Sequence, residues 1–252
     1  MIPYHGGPFS DSRIAAEIYR GHHAMVSFVR SEQIELIAEQ CRSFALDNGA
    51  FSRWKAAEFC SDEIEWDGYY RWVEHWKNHP GCDFALIPDV IDGTPTDNDD
   101  LLAEWPFDDI GVPVYHLHEP LERLAMLARS FTRVALGSSG QYRNPDSLIW
   151  WDRMVSGMRT VCDDRGYPTV RLHGLRMLSP EILKALPLAS ADSTTVCRNV
   201  NMDTKWKGSY TPATRMGRAL ALRERIENAP VAQRWTGTDG EQQLFELKEQ
   251  YA

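Results

Sequence analysis

The sequence predicts an α/β protein, specifically a (β/α)8 TIM-like barrel in which residues 1–252 form a single domain. Three observations predict it. Short apolar runs rich in β-formers alternate with helical patterns, the signature of βα units around a parallel sheet. The length of 252 residues is typical of one barrel, and 43% hydrophobic residues supply a sizeable core. The competing fold, an open doubly wound sheet, is weakened because neither common Gly-rich phosphate fingerprint occurs.

Seven strands are expected in order: Met25 to Arg30, Ser43 to Asp47, Phe84 to Asp89, Val112 to His118, Arg133 to Ser138, Thr169 to Gly174 and Leu188 to Asp192. The eighth has two candidate positions, Thr195 to Val200 or a segment near the amino terminus. Among the helices, one is expected to start at Ser31 with Ile34, Leu36 and Ile37 on its apolar face. Another starts at Ser179-Pro180 with Ile182, Leu183 and Leu186. Between Asp62 and His79, Trp66, Tyr69, Tyr70, Val73 and Trp76 share one helical face and read as core. The stretch from Asp92 to Asp109 carries seven carboxylates and no basic residue and reads as a solvated helix and loop.

Composition excludes several classes. No apolar run approaches the roughly 20 residues of a membrane helix, and the amino terminus lacks an apolar stretch of signal-peptide length. A cytoplasmic protein is expected. Five cysteines without a C-x-x-C pair argue against a disulfide framework and a cysteine-rich zinc site. The net charge of −9 disfavours indiscriminate polyanion binding. The balance reverses locally, because Arg198, Lys205, Lys207, Arg215, Arg218, Arg223 and Arg225 face only Asp203 and Glu224.

Active sites of barrels lie at the carboxyl ends of the strands. The residues that end these strands are polar: Asp47, Asp89, His116 and His118, Gly137 with Ser138, His173 and Asp192. An aspartate after a strand often merely caps a turn, but six such ends converging on one rim point to chemistry. Two carboxylates can divide the displacement of a group from a sugar carbon, one attacking the anomeric centre while the other handles the leaving group's proton.

Five strings carry a family resemblance. LDNGAF (Leu46–Phe51), IPDVIDG (Ile87–Gly93), ALGSSG (Ala135–Gly140), RLHGL (Arg171–Leu175) and ADSTTVCRN (Ala191–Asn199) resemble, in order, the strand-end motifs of tRNA-guanine transglycosylases. The first is similar to D-S-G-G-F through Asp47 and Phe51. The last is similar to D-C-V-x-P-T-R-N through Asp192, Arg198 and Asn199. The resemblance implies base exchange in a nucleic acid without backbone cleavage. It makes Asp192 the nucleophile and Asp47 the general acid/base, and it makes Asp89 the acceptor for the guanine edge. It also implies backbone contacts to the base carbonyl from Gly137 and Ser138, and it places His173 and Gly174 among the substrate-binding residues. His116 stands near a base-contacting glutamine of the family, a departure from the family's pattern. Phe51 or Met177 is expected to sandwich the base.

The chain departs from the tRNA enzymes in having only Cys197 after residue 162, so no zinc subdomain, no metal and no cofactor are expected. It resembles instead the compact, zinc-less deazapurine DNA modification branch found in phages and mobile islands. The expected partners are therefore DNA, with tRNA as the alternative, and a 7-deazaguanine base such as the 7-cyano form. The expected setting is the cytoplasm of a bacterium or phage-infected cell, with no membrane. The oligomeric state stays open, a homodimer included. A basic helical segment at about 198–228 starts a helix at Thr211-Pro212 and gathers Arg215, Arg218 and Arg225 within about 80° of arc at about 100° per residue. With Arg198, Lys205 and Lys207 it would hold phosphates, and Trp206 and Tyr210 are candidates for stacking on bases.

Two rival readings use the same residues. His116, His118, His173 and Asp192 form a conceivable ligand set for a metal-dependent barrel hydrolase. A non-catalytic nucleic-acid-binding barrel would keep the basic helix but has no need for both Asp47 and Asp192. No catalytic role is expected for His5, His22 and His23, while the Gly6-Gly7 loop is a candidate cover for the pocket.

Overall fold

A computed structural model describes residues 1–57, 66–107, 110–200 and 210–237. Its strands are β1 (Ile2–Gly6), β2 (His23–Ser27), β3 (Ser43–Asp47), β4 (Cys82–Leu86), β5 (Gly111–Val112), β6 (Val114–His116), β7 (Arg133–Gly137), β8 (Arg171–Gly174) and β9 (Ser190–Ser193). Its helices are α1 (Ser12–Tyr19), α2 (Ile34–Gln40), α3 (Ala50–Ala57), α4 (Asp67–Trp76), α5 (Pro95–Ala103), α6 (Leu121–Ser130), α7 (Leu148–Val161), α8 (Pro180–Ala185), α9 (Thr195–Asn199) and α10 (Arg215–Glu227). The protein is mixed α/β, with parallel strands and helices between them, an arrangement consistent with a TIM-like barrel. None of the described helices is long and apolar enough to cross a membrane.

Residue contacts divide the chain into two compact units. The flanking unit joins Ile2–Ala85 to Asp192–Ala229; the central unit joins Leu86–Ala191 to Met1 and the chain from Pro230 onward.

In the flanking unit the order is β4-β3-β2-β1, all parallel, with the end of β9 beside β1. Gly6 permits that approach: a Cβ there would lie 3.3 Å from the Ser193 carbonyl oxygen and 3.0 Å from the Thr194 methyl. Tyr4, Ala24, Phe44, Ala45 and Leu46 are fully buried, as apolar positions on strands covered by helices must be. Trp66, just before α4, and Tyr69 and Val73 on it are buried as the spacing predicted, while Tyr70 and Trp76 of the same stripe are only partly buried. The carboxyl end of α10 is tied down by Glu227, whose Oε1 meets both His5 Nε2 and His22 Nδ1 at 2.9 Å. Burial pushes the Glu227 pKa up, but the hydrogen bond with His5 and the charges of His5, His22 and Arg223 outweigh it and leave it lowered. Both histidines thus tie β1 and the start of β2 to α10.

The central unit runs β9-β8-β7-β6 in parallel, and β5 precedes β6 across Pro113. β5 and β6 form one strand interrupted where proline has no N–H to give. Its carbonyls still serve the ladder, Val112 accepting from the Ile87 amide and Pro113 from the Ala135 amide, both at 2.9 Å. On α7, Trp150 and Trp151 are fully buried and meet edge to face at 4.9 Å. Ser179 caps α8 by accepting from the Ile182 amide, with Pro180 in the first turn, as predicted.

Several boundaries differ from expectation. The amino-terminal segment supplies the additional strand, β1, whereas Thr195–Asn199 is the short helix α9. After the strand ends at Ser193, whose Oγ accepts from the Thr195 amide, Asn199 donates to the Thr195 carbonyl within that helix. Phe28–Arg30 is a 3-10 turn instead of the end of β2, so the next helix begins at Ile34 and not at Ser31. The basic helix begins at Arg215, because Thr214, not Thr211, accepts from the Gly217 amide. The acidic stretch is not simply solvated: Thr94 and Asp97 form a capping box on α5, and Asn98 behind it is buried.

The described cysteines are all partly buried. Burial pushes the Cys41 and Cys82 thiols up to about 12 and those of Cys162 and Cys197 up to about 11.

Candidate functional site

The central unit places Asp89 just beyond β4 and His116 at the last position of β6. Both are buried, with exposures of 6% and 3%, and His116 Nε2 lies 2.9 Å from Asp89 Oδ2. The neighbouring strand contributes Gly137, in register with His116. A Cβ on Gly137 would stand 3.0 Å from His116 Nδ1, so glycine is what lets the imidazole lie flat against β7. That Nδ1 atom is buried without a hydrogen-bond partner. A carboxylate bonded to one imidazole nitrogen fixes the ring's orientation and leaves the other nitrogen to meet a further polar group.

Ser138 and Ser139 follow Gly137. Ser138 Oγ accepts from the Trp150 indole at 2.9 Å, and Ser139 Oγ meets His118 Nδ1 at 2.8 Å. His118 Nε2 lies 3.2 Å from the Gly93 carbonyl, so both of its ring nitrogens are engaged in joining two loops. Its ring stacks on His116 at 5.7 Å. At the next strand end, His173 is fully buried with Nδ1 2.8 Å from Ser190 Oγ. Gly174 is held bare: a Cβ there would meet Met177 Cβ and Leu188 Cδ1 at 2.8 Å. Met177 is itself fully buried in that contact, which corrects the expectation that it offers a face to a base.

Beneath the Asp89–His116 pair lies a polar network that the sequence reading missed. Glu119 is 1% exposed. Its Oε2 accepts from the His116 amide at 2.8 Å and from Arg123 Nη1 at 3.0 Å, while its Oε1 accepts from Asn98 Nδ2 at 3.0 Å. Asn98 clasps the residue after Asp89, accepting from the Val90 amide at 2.7 Å and donating to its carbonyl at 3.3 Å. Arg123 also pairs with Asp99 at 2.8 Å. From α7, Arg153 donates to the Leu117 carbonyl at 2.7 Å and to the Glu119 carbonyl, so the turn after β6 is held from a second helix. The one sequence signal was Glu119 three residues after His116, and nothing local distinguished it from a surface glutamate.

In the flanking unit, Asp47 ends β3 and Asp192 lies in β9. Both are half-buried, and β2 and β1 separate their strands in the sheet. Because the strands are parallel, both carboxylates belong to the carboxyl end of that sheet. Asn48, directly after Asp47, is buried and accepts from the Ala50 amide at 2.8 Å. Gly49 takes φ +80°, a left-handed turn that an L side chain disfavours. This turn starts α3, where Phe51 packs against Trp54 at 5.8 Å and 33°, an aromatic pair of which only Phe51 was anticipated. Arg53 on the same helix lies over the rings of Phe28 and Trp66 at 5.6 and 5.3 Å.

The basic residues separate into two kinds. Arg198 and Arg225 are exposed, and Arg215 is exposed with one bond to Ser10 Oγ at 2.9 Å. Arg218 is partly buried, and Arg223 donates to the Glu17 and Ile18 carbonyls at the end of α1, which makes it a docking residue of α10. Tyr210 is 83% exposed. Lys205, Trp206 and Lys207 lie outside the described residues.

No group of three or more His, Cys, Asp or Glu side chains among the described residues is arranged to hold a metal ion. Comparison of the chain with protein-family models, with curated proteins and with solved structures found no match.

Proposed function

We propose that the protein is a DNA-guanine transglycosylase that exchanges guanine in DNA for a 7-deazaguanine, such as the 7-cyano form, on an eight-stranded (β/α)8 barrel. The observation that carries this reading is the pair of carboxylates, Asp47 and Asp192, brought by parallel strands to the same end of one sheet. In the proposed reaction Asp192 Oδ attacks C1′ of the deoxyribose and the bond from C1′ to the base breaks. Asp47 gives its proton to the departing guanine. The incoming base then loses its N–H proton to Asp47, its nitrogen attacks C1′, and the bond to Asp192 breaks, restoring both side chains.

Asp89 is assigned to the guanine edge, with His116 bonded to it in place of a glutamine. The backbone at Gly137 and Ser138 is assigned to the base carbonyl, and Phe51 to the face of the ring. Arg198, Arg215 and Arg218, together with Lys205 and Lys207, are assigned to phosphates. The bond between His116 and Asp89 supports the substitution of imidazole for amide, because the ring orients the carboxylate that receives the base. Because the Gly93 carbonyl can only accept, His118 Nε2 donates to it and the lone pair of the neutral ring, on Nδ1, faces the Ser139 hydroxyl.

The test is incubation of purified protein with radiolabelled guanine and duplex DNA, single-stranded DNA or bulk tRNA, followed by counting label in polymer. Label in DNA alone is expected. Label in tRNA alone would keep base exchange and overturn the substrate, and label in none would overturn the reaction.

A further inference from the structure

We infer that Glu119, acting with Asn98, is the positioning residue that sets the geometry of the Asp89–His116 pair and hence the affinity for the incoming base. The inference rests on the assignment of that pair to base recognition. Asp89 and His116 lie 27 residues apart and belong to different strand ends, and the bond between them is short only if both backbones are held. Glu119 holds the two at once. Its Oε2 takes the amide of His116 itself, and its Oε1 takes Asn98, which in turn clasps both backbone groups of Val90, next to Asp89. Arg123 compensates the buried charge from the other side at 3.0 Å.

Only a carboxylate serves all three donors. A glutamine at 119 has one acceptor oxygen and one NH2 group, so wherever the NH2 falls it opposes an N–H of His116, Arg123 or Asn98. The polarity can be repaired at a single place. With aspartate at 98, the amide of a glutamine at 119 donates to that carboxylate while its oxygen keeps the His116 amide and Arg123, and the second aspartate oxygen keeps the Val90 amide. The pair Glu119→Gln with Asn98→Asp thus reverses the bond between the two side chains and keeps the Val90 amide, giving up only the weaker 3.3 Å donation to the Val90 carbonyl.

The experiment measures exchange kinetics against base concentration, together with the 15N resonances of the His116 imidazole assigned with a His116→Gln comparator. Glu119→Gln is expected to raise KM for the base about tenfold to a hundredfold, as displacement of a positioning group by a fraction of an ångström does. kcat should stay within about twofold, and the His116 resonances should move. Adding Asn98→Asp should bring both readouts back toward wild type. Unchanged KM and unchanged resonances in folded Glu119→Gln would overturn the inference, as would a double variant no better than the single. If Glu119→Gln does not fold, Asn98→Ala serves, since it severs the clasp on Val90 while leaving the Glu119–Arg123 pair. Failure of wild-type protein to exchange any base would sink the functional reading alone, because the imidazole resonances still report whether Glu119 sets the pair.

Discussion

The two units end their strands in polar residues in opposite ways. In the central unit Asp89, His116 and Glu119 are all buried and bonded to one another through Asn98 and Arg123, with no more than 7% exposure along the line. In the flanking unit Asp47 at the end of β3 and Asp192 in β9 are half-exposed, and beside Asp47 it is Asn48 and Gly49 that fix the turn. A cross-braced network is rigid and intolerant of any missing partner. The comparison teaches that polar residues at the strand ends come in a buried, cross-linked form and a half-exposed form, and that the proposed exchange chemistry is assigned to the second.

The largest expected effect falls on the half-exposed form. Asp192→Ala should lower base exchange by at least about 10³-fold and abolish covalent trapping of labelled DNA, with an unchanged thermal transition. Full exchange by that variant would erase the distinction drawn between the units. In the cross-linked form, Arg123→Met should leave Glu119 buried without its counter-charge and cost about 3–5 kcal/mol in chemical denaturation. A loss below about 1 kcal/mol would mean the network is hydrated and not the dry brace described.

An intermediate case lies on the flanking unit, where Glu227 is braced by two histidines. Its pKa is lowered in the folded protein, so its contribution is present above the ordinary glutamate range and is lost as pH falls through the folded value. Glu227→Gln should cost about 1–2 kcal/mol at pH 7, and the difference from wild type should vanish in urea melts repeated on acidification below the lowered value. A difference that persists at low pH would assign the effect to packing. The smallest stability effect is expected for Arg215→Ala with Arg218→Ala. It should change stability by less than about 0.5 kcal/mol while reducing the salt slope of DNA binding by about 2. An unchanged slope would make this face merely solvated.

The sequence made the alternation of strands and helices legible because apolar periodicity is a local property. It failed where structure depends on distant partners. β1, at one of the two places offered for the missing strand, is a five-residue strand containing a tyrosine and a histidine, and only its pairing with β2 and β9 decides between the two. Thr195 to Val200 has the β-branched composition of a strand yet turns into α9, because the strand has already ended at Ser193. Asp47 and His116 were visible as abrupt polar stops of their strands, whereas Asp89 lies three residues beyond the end of β4 and Asp192 one residue before the end of β9. That Asp89 meets His116 was not visible, and Asn98, set among seven carboxylates, looked like one more solvated polar residue.

The raised thiol pKa values bear on how the units can be followed separately. Alkylating reagents attack thiolates, and at neutral pH Cys41, Cys82 and Cys197 in the flanking unit and Cys162 in the central unit present almost none. Each becomes reactive only when its surroundings open. In a Cys60→Ser background, the rate at which iodoacetamide marks Cys162 relative to the other three is therefore a clock for the opening of one unit against the other, readable by mass spectrometry without any added probe.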